Sequence, residues 1–588
     1  MCGIFSYSGP KNATELIING LKRLEYRGYD SWGVALIVKN EIKVIKKVGA
    51  IGDLKSLDKL PTSHLGIGHT RWATHGGVTT NNAHPHYSTD KSFVVAQNGI
   101  VENYQDLKKQ LQKQGYKFTT QTDTEIIVRL IEHFIHKGKK LLEATKSTFK
   151  KLEGRNTIVV LSRIDNQLIA IRNGSPLIVG LGQDEIILAS DTLSFADITS
   201  KVVFINDFEM VNYEHSKLEF WDIIKNKRIE KKTTLLSDKQ TLIEKKGFDS
   251  FYFKEVMEQP QTLKNAALDS YQEFLPFLKK IKAAKQIYTL GAGSASFAAG
   301  AGAYIIRKNN KLNVIELKAY EINSYVKLFN KNDVLIAVSQ SGETADTLEA
   351  INSAKKRGVI IASIVNMVGS TLSRQSDFAF LSRSGPEISV VSTKAFTSQL
   401  TWFLMLSSYL KKEGVAFKKI ITKTSQLISL YKEKKYLESV KNLARILSKQ
   451  NNVYILGRDE LFYIAQEAAM KIKEISYIHA EAFSAGELKH GVISLITKNT
   501  PVIGFVPSSN PETMINSLAQ VKARGANVIG VSAKKNELFD FWLQTHELPS
   551  TQIISSIIPI QILGYYLAKL KNLSPDKPRN LAKSVTVN

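Results

Sequence analysis

A chain of 588 residues, 43% hydrophobic and with a mean hydropathy of −0.13, has core material for about three or four domains of a soluble globular protein. Its one cysteine excludes a disulfide framework and any cysteine-based metal site, and fits a reducing, cytoplasmic compartment. The net charge of +25 does not argue for nucleic acid. The lysines are scattered over helix faces without interleaved stacking aromatics, so a solvated basic surface that attracts anionic substrates is the better reading.

The chain opens Met1-Cys2-Gly3-Ile4-Phe5, with no basic and apolar leader. If Met1 is removed, Cys2 carries a thiol and a free α-amine on one residue. An α-amine with a pKa of about 8 can take the thiol proton near neutrality, so one residue supplies nucleophile and base. A lone cysteine is more often an inert core residue, and the following motifs must decide.

Helical patterns are read at Ala13–Leu24, Asn103–Gln114 and Asp123–His136. Strand-like segments lie at Trp32–Val38, Phe93–Ala96, Thr157–Leu161, Leu168–Ile171, Ile186–Ala189 and Val202–Ile205. Consecutive β segments without intervening helices predict stacked antiparallel sheets. The lysine- and threonine-rich stretch from 224 to 246 lacks periodicity and reads as a boundary.

Within this half, His69-Thr70-Arg71-Trp72-Ala73-Thr74-His75-Gly76 offers a cation and neutral hydrogen-bonding groups suited to a carboxylate. Gln97-Asn98-Gly99-Ile100 reads as a turn or as an oxyanion hole built from the Asn98 amide and the Gly99 N–H. Thr122-Asp123-Thr124-Glu125 reads as an N-cap with acidic residues in the first helical turn.

The second half alternates short apolar strands with helices. One set is Gln286–Leu290, Val334–Val338, Ile360–Val365 and Phe378–Leu381; another is Val453–Leu456, Val502–Val506, Val528–Ser532 and Glu547–Pro549. This rhythm predicts two doubly wound parallel sheets. The most apolar run, Ile553–Ala568, is interrupted by Ser, Pro and Gln, so no membrane span is expected. The domains are therefore placed at 2–235, 285–425 and 426–573, with connecting helices at 236–284 and a tail at 574–588.

Ser339-Gln340-Ser341-Gly342-Glu343-Thr344 joins a strand to a helix, where hydroxyls and N–H groups can cradle a phosphate. Gly291-Ala292-Gly293-Ser294-Ala295-Ser296 holds the equivalent place after the first strand but lacks a dinucleotide fingerprint. Lys471 and Glu474 share a helix face, followed by a dense set of His, Glu and Lys running to His490.

The motifs of the first half occur in the order and spacing of class II glutamine amidotransferases: Cys2-Gly3-Ile4, Tyr26 to Ser31, His69 to Gly76, Ala83 to His86, Asn98-Gly99 and Thr122 to Glu125. The half resembles that family. The resemblance implies a four-layer αββα N-terminal nucleophile hydrolase domain in which Cys2 attacks the carboxamide of glutamine and releases ammonia. Asn98 and Gly99 would form the oxyanion hole, and Arg71, Thr74, His75 and Asp123 would hold the α-carboxylate and α-amine.

The second half resembles sugar isomerase (SIS) domains through Ser339 to Thr347, Ser392 to Thr397, Lys471 to Glu481, Gly486 to Gly491 and the tail Leu581 to Val587. The whole chain is similar to the amidotransferases that make glucosamine 6-phosphate from fructose 6-phosphate and glutamine, the first step of amino-sugar biosynthesis. That similarity implies that Ser339, Gln340, Ser341 and Thr344 hold the sugar phosphate, with Ser294 and the Val390 backbone beside them. Lys583 would form a Schiff base with the sugar. Glu474 would move a proton between C1 and C2, with Lys471 nearby. His490 would assist ring opening from the neighbouring subunit of a homodimer, and Trp72 would gate the ammonia passage. An amine and a carboxylate suffice for this chemistry, so no metal or other cofactor, nucleic acid or membrane partner is expected.

Three places depart from the family pattern: Trp32 replaces a small residue, Glu153-Gly154-Arg155-Asn156 replaces an Arg-Gly-small-aromatic run, and the Gly293–Ser296 loop is one residue longer. Phosphoribosyl amidotransferases and asparagine synthetases share the first half but lack SIS domains and the lysine tail. A non-catalytic sugar-phosphate regulator would be missing Glu474, His490 or Lys583.

Overall fold

The computed structural model describes residues 2–52, 60–236 and 244–586. The fate of Met1, the end of the tail at 587–588 and part of the expected boundary, 237–243, lie outside these residues. Two compact units are present: Met1–Ile243 together with Ala582–Asn588, and Glu244–Leu581.

The first unit stacks two antiparallel sheets. The eight-stranded sheet runs Thr234–Leu235, Lys201–Phe204, Ile178–Leu181, Ile186–Ala189, Gly3–Ser8, Leu65–Arg71, Ser31–Val38, Glu41–Val48. The seven-stranded sheet runs Lys227–Ile229, Lys217–Asp222, Glu209–Glu214, Leu168–Asn173, Asn156–Ser162, Phe93–Gly99, His86–Tyr87.

Strand alternation sorts the side chains into three interlayer cores. Ile4, Val94, Ala96, Val159 and Leu161 fill the space between the sheets. Phe5 and Tyr7 face the helix Ala13–Leu24. Phe93, Val95, Ile158 and Val160 face the helices Tyr104–Lys113, Thr124–His136 and Leu141–Phe149. These three cores separate four layers, helix, sheet, sheet and helix.

Two short strands, Lys227–Ile229 and Thr234–Leu235, come from the stretch read as a boundary, so its N-terminal part continues the sheets. Two strands that the period-two pattern concealed are Gly3–Ser8 and Leu65–Arg71. The latter carries Gly66 and Gly68 because the first helix lies directly on it. A Cβ at Gly68 would stand 2.5 Å from Ile17 and 2.7 Å from Leu21.

The second unit holds two five-stranded parallel sheets. Their orders are Val314–Lys318, Ile287–Gly291, Val334–Ser339, Ile360–Val365, Phe378–Leu381, and His479–Ser484, Asn452–Gly457, Pro501–Phe505, Asn527–Ser532, Phe541–Gln544. Each has its first strand in sequence between its second and third, so a crevice opens beyond the strand ends at that reversal. The repeat extends to backbone detail. The helices Ser294–Asn310 and Glu460–Ser476 are entered through Gly293 at φ 58, ψ −135 and Asp459 at φ 55, ψ −135, and both end on a left-handed residue, Lys311 and Tyr477.

Two expectations fail here. Glu547–Pro549 is not a strand; Phe541–Gln544 is, paired with Ile529–Ser532. Pro549 lacks an N–H for a ladder and instead opens the 3-10 turn Pro549–Thr551. The edge strands Val314–Lys318 and His479–Ser484 were not anticipated, since Glu316, Lys318, His479 and Glu481 break their apolar character.

The helix Gln552–Leu570 packs against Glu460–Ser476 and lies in the unit's core. Pro549–Leu570 is long and apolar enough to cross a bilayer, but 83% of its most apolar window is buried in the fold.

Gly20 on the first helix sits over Phe5, where a Cβ would approach the ring to 2.2 Å. Gly20→Val should destabilise the first unit by about 2–3 kcal/mol through overpacking, read as a lowered urea midpoint for that unit's transition. An unchanged midpoint would contradict this contact.

Candidate active sites

Cys2 precedes a strand paired on both sides, with Gly3 opposite Thr70 and Phe5 opposite Ala189. The Trp72 N–H donates to Sγ at 3.3 Å, and the thiol in turn donates to the Trp72 carbonyl at 3.5 Å. Arg27 Nε donates to the Cys2 carbonyl at 3.2 Å, which gives the Tyr26–Ser31 motif a supporting role. Burial pushes the thiol pKa up, opposed by the Trp72 N–H and the Arg71 guanidinium among others. A base is therefore needed to make thiolate.

Asn98 and Gly99 end the strand Phe93–Gly99. One N–H of the Asn98 amide goes to Ser190 Oγ at 2.9 Å, and the Ile4 N–H donates to the same hydroxyl at 2.9 Å. Ser190 thereby ties the amide to the strand that follows Cys2, a link that nothing in the local sequence marked. Gly99 has φ 124, and a Cβ there would lie 1.8 Å from the Arg155 carbonyl oxygen. Only glycine fits.

Arg71 donates to the carbonyls of His75, Gly76 and Gly77, so it shapes the loop carrying exposed Thr74 and half-buried His75. The Ala73 N–H donates to Asp30 at 2.8 Å. Asp123 is 4% exposed and accepts the Val101 N–H at 2.8 Å, while burial raises its carboxyl. It makes no side-chain capping bond, contrary to the sequence reading. Glu125 instead takes the N–H groups of Thr119 and Thr120 and pairs with Arg129.

Behind this site His69, His84 and His86 stack with ring centroids 4.4 and 4.9 Å apart. They are bonded to the Gln97 carbonyl, Thr124 and Thr122. Burial lowers His69 to about 3 and holds the other two well below the usual range. The three are neutral struts.

In the second unit the Ser294 loop and the Ser339–Thr344 loop follow adjacent strands, at the reversal of strand order. Ser339 Oγ accepts the Gly342 N–H at 3.0 Å and lies 3.4 Å from Thr344 Oγ1, and Ser341 Oγ accepts the Glu343 N–H at 3.2 Å. Gly342 has φ 64, and Thr344 stands at the N-terminus of the helix Ala345–Lys356. Gln340 is half-buried and its carbonyl accepts the Asn366 N–H. The Val390 N–H is engaged by the Asp576 carbonyl at 3.0 Å, so Val390 anchors the segment leading to the tail.

Lys471 is fully buried. Its Nζ donates to Ser294 Oγ at 3.2 Å and to Glu474 at 2.6 Å, and lies 3.3 Å from Glu467. Glu467 is a residue the motif reading missed, although its i,i+4 spacing to Lys471 was available. Burial raises its carboxyl to about 7, opposed by the Lys471 charge; the two carboxylates keep Lys471 protonated against burial. His490 is exposed on the turn Glu487–His490. Lys583 is half-buried and belongs with the first unit, three residues before Thr586, whose carbonyl accepts from Arg155 at 2.8 Å. Among the described residues no three His, Cys, Asp or Glu side chains converge on a metal position.

The glutamine amidotransferase domain family matches residues 69–197, and the SIS domain family matches 280–408 and 446–567. Proteins described as glutamine–fructose-6-phosphate aminotransferase (isomerizing) from Pyrococcus horikoshii and Aquifex aeolicus are each 38% identical, over the full length of both chains. The C-terminal domain of glucosamine-fructose-6-phosphate aminotransferase from Francisella tularensis superposes with a TM-score of 0.51 at 29% identity, covering 57% of this chain and all of that one. Tagatose-6-phosphate ketose/aldose isomerase from Escherichia coli shares the fold, with a TM-score of 0.50 at 17% identity over 57% of this chain and 97% of its own.

Gly99→Ala should reduce thiol-dependent amide hydrolysis by at least about 100-fold, the scale of losing one oxyanion donor, because the strand end must move to admit the methyl. Retained hydrolysis would contradict the close approach to Arg155.

Between the ordinary carboxylate range and about pH 7 the folded Glu467 holds a proton that the unfolded chain releases. Its contribution to stability therefore falls as pH rises through that window. Glu467→Gln should flatten the second unit's stability profile from about pH 5 to 7, measured by urea unfolding at a series of pH values.

Proposed function

The chain belongs to the glutamine–fructose-6-phosphate aminotransferase (isomerizing) family, and on that premise we propose how its residues divide the reaction. Residues 2–235 act as the glutaminase, 285–425 and 426–573 as the paired SIS domains, and 574–588 as the catalytic tail.

With Met1 removed, the Cys2 α-amine takes the thiol proton. Sγ adds to the carboxamide carbon of glutamine, while the Asn98 amide and Gly99 N–H face the developing oxyanion. The C–N bond breaks, the proton passes to the leaving nitrogen as ammonia forms, and water hydrolyses the glutamyl thioester to glutamate and free thiol. Arg71, Thr74, His75 and Asp123 hold the amino acid end of glutamine, with Arg71 acting partly through the loop whose carbonyls it binds. Trp72, whose main chain brackets Sγ, gates the departing ammonia.

In the sugar half, the Ser339–Thr344 loop with Ser294 holds the phosphate of fructose 6-phosphate. Lys583 condenses with the C2 carbonyl, releasing water, and ammonia displaces the lysine to leave an imine on the sugar. Glu474 carries a proton from C1 to C2 while the C1 hydroxyl proton passes to the imine nitrogen, leaving the C1 aldehyde and C2 amine of the amino-aldose. Lys471, ion-paired with Glu467 and Glu474, orients the Glu474 carboxylate for that transfer. The exposed His490 assists ring opening at the site of a second copy in a homodimer. The protein acts in the cytoplasm without a cofactor.

The observation that carries this reading is the buried Lys471–Glu467 pair with half-buried Glu474, bonded to Ser294 beside the strand reversal, in the same chain as a thiol bracketed by Trp72. Purified protein should form glucosamine 6-phosphate and glutamate from fructose 6-phosphate and glutamine. Absence of product with both glutamine and ammonium as nitrogen donor would refute it. Cys2→Ala should abolish the glutamine-dependent reaction and retain sugar isomerisation.

A further inference from the structure

Arg155 stands in one of the three stretches that depart from the family pattern, and the reaction above gives it no part. Its backbone is built into the end of the seven-stranded sheet. The carbonyl accepts the Ile100 N–H at 3.2 Å, against Gly99, and the next residue, Asn156, pairs with Gly99 in the ladder. Its side chain turns the other way. Nε donates to the Thr586 carbonyl at 2.8 Å and Nη2 to the Gly174 carbonyl at 3.2 Å.

Room for the guanidinium is specific. Gly174 has φ 90, and a Cβ there would stand 2.7 Å from Arg155 Nε. Next to it, Ser175 Oγ lies 3.4 Å from Thr586 Oγ1. Ser584 and Thr586 are 6% and 3% exposed while Val585 between them is 42% exposed, so residues 584–586 are seated rather than frayed.

We propose that Arg155 is a positioning residue that clamps the C-terminal tail through the Thr586 carbonyl and thereby holds Lys583 for its reaction with the sugar. The inference rests on the role given to Lys583 above. The physical reason is reach. Three residues of chain span at most about 10 Å, so fixing Thr586 confines the Lys583 backbone to a small volume. A rigid sheet end carries the clamp, and a charged donor to a carbonyl is among the firmer hydrogen bonds. Arginine suits the task because its fork reaches two carbonyls, on Thr586 and Gly174, from one planar group.

Arg155→Ala tests this in the full-length enzyme. Expected is a loss of about tenfold or more in kcat/KM for fructose 6-phosphate, with glutamine and with ammonium as nitrogen donor, while glutamine hydrolysis in the absence of sugar stays within about twofold. Arg155→Lys, which keeps one charged donor, should recover part of the loss. Carboxypeptidase should trim the tail of Arg155→Ala faster than that of the unsubstituted protein. Unchanged kcat/KM for the sugar, or an equal fall in sugar-free glutamine hydrolysis, would overturn the proposal, the second by showing a general structural role. If the unsubstituted protein makes no glucosamine 6-phosphate, the functional reading fails by itself, and equal trimming rates would then sink the clamp independently.

Discussion

The position of Cys2 depends on the strand that directly follows it being held on both sides, whereas terminal segments ordinarily fray. Here the strand Gly3–Ser8 is the fifth of eight, with main-chain pairing to Leu65–Arg71 on one side and Ile186–Ala189 on the other. Much of the first unit follows from that insertion. The neighbour Leu65–Arg71 delivers Trp72 to the thiol, and the other neighbour runs on to Ser190, which joins Ile4 to Asn98. The strand Phe93–Gly99 is thus tied to the strand Gly3–Ser8 across the gap between sheets by one hydroxyl.

The second unit solves a different problem with duplicated architecture. Both sheets reverse strand order at their first strand, yet only the first repeat carries the Ser339–Thr344 loop at its reversal. The second repeat places Pro507-Ser508-Ser509-Asn510-Pro511 there and contributes a helix instead. Glu460–Ser476 packs against Ser294–Asn310, and Lys471 reaches Ser294 from it. A lysine taken wholly out of water is costly unless compensated; here Glu467, Glu474 and a hydroxyl surround it. Mutual dependence of the repeats follows, since a charge buried between them requires partners from both.

The histidine stack shows the same economy in the first unit. Three buried imidazoles lie together with ring centroids less than 5 Å apart. Held neutral, each can bond a threonine hydroxyl or a carbonyl while adding no charge near Arg71. The three rings thus form a polar layer whose charge stays constant across the physiological range.

By itself the sequence determined the fold class and the family. Strand-like alternation marked Phe93–Ala96, a β-rich run marked Thr157–Leu161, short apolar strands with following helices marked the parallel sheets, and motif order pointed to Cys2, Asn98, Lys471 and Glu474. These features are local, and local pattern is written along the chain. What only the tertiary structure decided depends on residues far apart in sequence. Ser190 meets Asn98 across 92 positions, Arg155 meets Thr586 across 431, and Lys471 meets Ser294 across 177. The strand at Phe541–Gln544, not Glu547–Pro549, was likewise settled by its neighbour, because a ladder needs paired N–H groups that Pro549 cannot provide. Spacing along one chain carries no information about which distant backbone will arrive to accept a hydrogen bond.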